Sequence, residues 1–165
     1  MRALWELLDR EGEAAAMVDM DSLRALSPDD PADPFHAGLG VENLQAIWPQ
    51  FAARGARWLL LTDAVERPAQ RAVYERAVPD AAVIIVRLDV PIDRVHPQLR
   101  GREVGSSLEW HLNRSVELQS MMIERGVGDV IIPVDGQRPS EVARLILDAV
   151  QLHVRSPDAS EMPRP

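Results

Sequence analysis

The sequence predicts an α/β domain in which a parallel sheet is covered by helices on both faces, a three-layer arrangement. Three observations carry this. Four short segments, at 14–19, 58–63, 82–88 and 129–134, are almost continuously apolar, the pattern of strands buried on both faces rather than one. Segments with apolar residues at helical spacing alternate with them. The resulting order, a helix first and then strand and helix alternating four times, is that of a doubly wound sheet.

Each element has its own signal. Leu4, Trp5, Leu7 and Leu8 lie at helical spacing and stop before Gly12, a C-terminal signal. The first strand follows and closes on Asp19 and Asp21. Residues 27–40 are rich in proline, aspartate and glycine and predict a loop. Val41, Leu44, Ile47, Trp48 and Phe51 mark one helical face ending near Gly55, with Pro49 predicting a kink or a break. Trp58 to Leu61 forms the second strand, closing on Thr62 and Asp63. Pro68 suits the first turn of a short helix that runs to Ala77. Val83 to Val86 is the heart of the third strand. A helix broken at Pro97 is predicted over 91–102, and a longer one from Ser106 or Ser107 to Ile123, stopped by Gly126. Val130 to Val134 is the fourth strand. Val142, Leu145, Ile146 and Ala149 mark the inner face of the last helix. The domain is expected over 1–153, with a disordered polar tail over 154–165.

Composition narrows the function. A chain of 165 residues, 46% hydrophobic and 27% charged, is sized for one domain with an ordinary core. The formal charge of −8 opposes non-specific binding to nucleic acid or to an anionic membrane. Without cysteine there is no disulfide or thiolate metal site, which is compatible with a reducing cytosol. His36, His96, His111 and His153 have no metal-ligand spacing, and Met121-Met122 reads as core filler. There is no G-x-S-x-G, H-E-x-x-H or G-x-G-x-x-G to anchor a hydrolase, zinc-protease or dinucleotide reading. All 18 basic residues are arginine; no lysine is present.

Four segments, in order, resemble P-loop small-molecule kinases of the adenylylsulfate-kinase-like group. Val18-Asp19-Met20-Asp21-Ser22-Leu23-Arg24 is similar to that family's strand-end motif LDGDxxR. Leu59 to Asp63 resembles its third strand. Arg100-Gly101-Arg102 falls where its arginine-bearing lid lies, and Val134 to Pro139 resembles the loop beside the adenine. The likeness spans roughly residues 2–152, although each motif is short. It implies a P-loop kinase-like sheet, ATP and Mg²⁺ as cofactors, and a small-molecule acceptor as substrate. The family's most specific element, the G-x-x-x-x-G-K-[ST] loop whose backbone and lysine cradle phosphates, has no counterpart in this sequence. Nor does the strand that precedes it.

By this resemblance Asp19 or Asp21 orients the acceptor and Arg24 holds it. Arg100 and Arg102 cover the transferred phosphate, Asp63 positions the metal, and Asp135 and Gly136 border the adenine. Plainer roles remain open for each. Asp19 and Asp21, two apart at a strand end, share a face and suit either Mg²⁺ or a substrate hydroxyl; they equally suit strand termination and capping. Arg24 is a planar anion fork or a surface arginine. Arg100 and Arg102 are a phosphate clamp or a solvated helix end, and many strands end in an aspartate such as Asp63. Three functional readings follow. An upstream strand and loop complete an ATP-dependent phosphotransferase, or the chain is a degenerate, non-catalytic binding module, or it is an unrelated α/β protein. With the first family strand absent, the second and third strands of this chain either leave a gap or pair directly.

Overall fold

The computed structural model describes residues 1–28 and 30–155. Its elements run α1 (Arg2–Arg10), β1 (Ala15–Asp19), α2 (Met20–Leu23), α3 (Ala37–Ala52), β2 (Trp58–Thr62), a 3₁₀ turn (Pro68–Gln70) leading into α4 (Arg71–Ala77), β3 (Val86–Asp89), α5 (Ile92–Arg102), α6 (Gly105–Glu124), β4 (Val130–Pro133) and α7 (Pro139–Arg155). The fold is mixed α/β. Its strands form two separate two-stranded sheets, both parallel. In one, β1 lies beside β2, from Ala15 opposite Trp58 to Asp19 opposite Thr62. In the other, β3 lies beside β4, from Val86 opposite Val130 to Asp89 opposite Pro133. Consecutive strands β2 and β3 do not pair.

Strict alternation along β2 explains how its sheet is covered. Leu59 and Leu61 face a cluster built on Val18, Met20, Leu44, Tyr74, Ala77 and Val78, contributed largely by α3 and α4. Trp58 and Leu60 face the opposite way, onto Leu7 and Leu8 of α1 and Ala143 and Leu147 of α7. Leu8 and Leu44 are fully buried, one in each cluster. Helices therefore cover both faces of the β1–β2 sheet, and α7 returns from β4 to pack on α1. The indole N–H of Trp5 donates to the Ala15 carbonyl at 2.8 Å, fastening α1 to the start of β1.

Glycine sets where α1 and α6 stop. At the end of α1 the Gly12 N–H reaches Asp9 O and the Glu13 N–H reaches Leu8 O. At the end of α6, Gly126 and Val127 make the same pair of bonds to Ile123 and Met122. This double closure needs a left-handed residue, and both glycines have positive φ.

Several boundaries differ from expectation for identifiable reasons. Helix α3 begins at Ala37 instead of Val41, because the Asp33 carboxylate accepts from the N–H groups of Ala37 and Gly38 at 3.0 and 3.2 Å. It runs unbroken through Pro49, which lies close to its end. Helix α5 likewise continues through Pro97. The ladder of β3 starts at Val86 although the apolar run starts four residues earlier. Its partner β4 begins only at Val130, and Ile85 reaches it through bonds with Asp129 and Val130. Helix α7 includes Val154 and Arg155; the rest of the expected tail lies outside the described residues.

Arginines connect the two sheet regions where backbone pairing does not. Arg71 of α4 bonds the Val83 carbonyl and pairs with Asp129, just before β4. Glu66, beyond β2, pairs with Arg114 of α6, and its carbonyl accepts from Arg125 at 3.2 Å. No helix among the described residues is long and apolar enough to cross a membrane.

Candidate functional site

Ligands of open α/β sheets bind beyond the carboxyl ends of the strands, and a connected cluster of charged side chains lies there on β1 and β2. Asp19 ends β1 in an extended conformation, and its carboxylate accepts from the Asp21 N–H at 3.1 Å, capping the single turn of α2. That turn carries Asp21 and Arg24 to the end of β2. The Arg24 Nη2 donates to Oδ1 of Asp63 at 2.9 Å, while Nε donates to Oδ1 of Asp21 at 3.1 Å and Nη2 bonds that oxygen as well. Helix α3 holds the turn in place: Asn43 Nδ2 donates to the Leu23 carbonyl at 2.7 Å. Gly40 lets α3 pass closely, since a Cβ there would stand 3.3 Å from the Arg24 Cβ and 3.4 Å from the Met20 Cε.

The two carboxylates beside Arg24 are unequal. The Asp63 side chain is only 9% exposed, that of Asp21 80%. Asp63 also accepts from the Ala64 N–H at 2.8 Å and, on its other oxygen, from the Tyr74 hydroxyl at 2.5 Å. Burial pushes the Tyr74 phenol well above the ordinary tyrosine range, helped by its bond to Asp63 and that group's negative charge. Burial alone pulls Arg24 down, but its bond to Asp21 and the charges of Asp63 and Asp21 outweigh this and raise it. Arg24 is thus a fixed cation in a locally acidic setting.

Of the residues singled out in the sequence, Asp19, Asp21, Arg24 and Asp63 are brought together. The others are not joined to them by any hydrogen bond or ion pair among the described residues. Asp135, beyond β4, pairs with Arg94 at 3.0 Å, both side chains exposed, and its N–H donates to Gln137. Gly136 beside it sits at positive φ with open space around it. Arg100 and Arg102 close α5, where Arg100 is exposed and the Arg102 Nε lies 3.3 Å from Glu103. Tyr74, Asn43 and Arg94 escaped the sequence reading. The one available signal was Tyr74 itself, the only tyrosine, on the apolar face of a short helix that follows an aspartate-terminated strand.

As arranged here, Asp63 is committed to hydrogen bonds within the protein. Both Asp63 oxygens are occupied by neighbours, and among the described residues no group of three or more His, Cys, Asp or Glu is placed to hold a metal. Nor does a lysine or a glycine-rich phosphate cradle stand near the cluster. What the arrangement offers chemically is a planar arginine fork, anchored on one side and solvent-facing on the other, flanked by carboxylates that accept hydroxyl protons.

No protein-family model matches the chain, and no curated protein matches it.

Proposed function

We propose that this chain is the acceptor-side portion of a P-loop kinase-like phosphotransferase, completed by a further strand and a phosphate-binding loop. The observation that carries the reading is the unclosed pairing: β1 pairs only with β2 and β3 only with β4, although β2 and β3 are consecutive. One strand between them would turn two small sheets into a single five-stranded, three-layer sheet. An apolar groove of about 210 Å³ supports this. Four consecutive β3-side residues, Arg87 to Val90, line it together with residues of α5 and α6. None of its lining residues comes from β4. Leu88, on that strand, is 46% exposed.

In this reading Asp19 or Asp21 orients the hydroxyl of a small-molecule acceptor, Arg24 binds its anionic group, and Arg100 and Arg102 approach the transferred group. The adenine side of the site lies at Asp135 and Gly136. ATP and Mg²⁺ belong to the completed assembly. A phosphate loop supplies several charge-assisted hydrogen bonds of about 1.5–3 kcal/mol each. Lacking three of them removes more than about 4 kcal/mol, roughly a thousandfold in affinity.

Calorimetry tests this directly, on the chain alone and on the chain extended by the in-frame coding segment upstream of Met1. The extended form is expected to bind Mg-ATP at micromolar concentration and the short form to show none. Micromolar binding by the short form, or no gain on extension, contradicts the reading. A second reading, a non-catalytic binding module, is favoured by one observation: the Arg24 fork is already filled by two carboxylates. It predicts ligand binding without turnover in every form of the protein.

A further inference from the structure

We propose that Asp21 is a built-in competitor for the anion site of Arg24, an exchangeable carboxylate that an incoming oxyanion must displace. This rests on the assignment of Arg24 as the anion-binding residue and concerns how that site is regulated.

The two carboxylate partners of Arg24 are held very differently. Asp63 is buried and tied at three points, by Arg24, by the Ala64 N–H and by the Tyr74 hydroxyl. Tyr74 is itself buried in the α3–α4 core. This side of the guanidinium is a fixed clamp, and it sets where the cation sits. Asp21 is different: its carboxylate is 80% exposed and, among the described residues, accepts from Arg24 alone. It nevertheless occupies the more valuable edge. Nε and Nη2 form the side-on fork that grips a carboxylate, sulfate or phosphate bidentately, and one Asp21 oxygen takes both.

The geometry of α2 makes exchange easy. Asp21 is three residues before Arg24 on a single helical turn, and the turn itself is fixed by other groups, the Asp19 cap and the Asn43 bond to the Leu23 carbonyl. A χ1 rotation of Asp21 therefore frees the fork without unfolding the turn. Exposed ion pairs contribute little net stability, so the barrier to ligand entry is small but real. Asp21 also adds a negative charge beside the fork, with Asp19 close by, which selects against weakly held anions. A ligand enters only when it outcompetes Asp21 for both donors.

The test measures sulfate and phosphate binding to the chain alone, at fixed ionic strength balanced with chloride, following the backbone amide signals of residues 19–25 by NMR, which every variant retains. Wild type is expected to bind both weakly. Asp21→Ala and Asp21→Asn are expected to bind at least about fivefold more tightly, the affinity rising as the competing bonds and charge go. Arg24→Ala placed in the Asp21→Ala background is expected to abolish the gain. Tyr74→Phe, which loosens the clamp but keeps the core, is expected to reduce it. Unchanged affinity in both folded Asp21 variants overturns the proposal, as does a gain that survives Arg24→Ala. Because no nucleotide is used, failure here is distinguishable from failure of the phosphotransferase reading, which rests on Mg-ATP binding by the extended chain.

Discussion

Tyr74 donates its phenolic hydroxyl to Asp63 at 2.5 Å, on the oxygen opposite the one that accepts from Arg24 at 2.9 Å. One buried carboxylate thereby joins the α3–α4 core to the polar rim at the ends of β1 and β2. Its consequences for stability are open to measurement.

The first is alkaline. The Tyr74 phenol is raised above its unfolded value of about 10 by burial and by Asp63. A group raised on folding contributes stability that is complete below the unfolded value and lost as pH climbs above it. Because the chain has one tyrosine, tyrosinate absorbance reports this group alone. It should stay un-ionised in the native protein above about pH 10, where a free phenol titrates, and appear together with unfolding. Tyr74→Phe should abolish that signal and cost about 2 kcal/mol at neutral pH, since a hydrogen bond to a charged acceptor is lost. Reversible titration near pH 10 in the folded state would contradict the buried assignment.

The two aspartates beside Arg24 should respond very differently. Asp63→Asn breaks a mostly buried pair and leaves Arg24 leaning on a solvent-exposed partner, which should cost about 3 kcal/mol. Asp21→Asn removes an exposed partner and should stay within about 0.5 kcal/mol. Denaturant unfolding of both variants checks the contrast, and equal losses would mean that Asp63 is not the anchor.

Much of this arrangement was legible in the sequence. Continuous apolar runs located β1, β2 and β4 to within a residue at each end; in β1 and β2 this reflects helices on both faces, whereas in β4 Ile131 is 49% exposed and the expected burial of both faces is not met. The run at 82–88 misplaced β3, whose ladder is decided by the length of its partner. The apolar face of α3 begins four residues after the helix does, because the group that starts the helix, Asp33, lies outside it in a proline-rich loop. Asp19, Asp21 and Arg24 stand out as one motif at the end of the first strand, and Asp63 as a separate strand end. The joining of that motif to Asp63 is not legible: Arg24 and Asp63 meet across 39 residues of sequence, and Tyr74 completes the cluster from a helix whose pattern announces only an apolar face.

The ion pairs that connect the two sheet regions give a further prediction. Glu66 binds Arg114 through its carboxylate and Arg125 through its carbonyl, in a place where no strand ladder crosses. Glu66→Gln should destabilise the fold by about 1 kcal/mol at low salt, and the difference from wild type should shrink as ionic strength rises. A salt-independent loss measured by thermal unfolding would assign Glu66 a packing role instead.

Backbone hydrogen exchange measures most directly whether a strand position between β2 and β3 stands open, as proposed. In the chain alone, the amides of β2 that bond β1 and the amides of β3 that bond β4 should be protected. The remaining amides of Leu59–Leu61 and Arg87–Asp89, on the edges that face no partner strand, should exchange orders of magnitude faster. In the chain extended upstream of Met1 those edge amides should become protected, with Mg-ATP binding appearing alongside. Slow exchange on both edges of β2 and β3 in the chain alone would show that these strands already have partners, and would contradict the account.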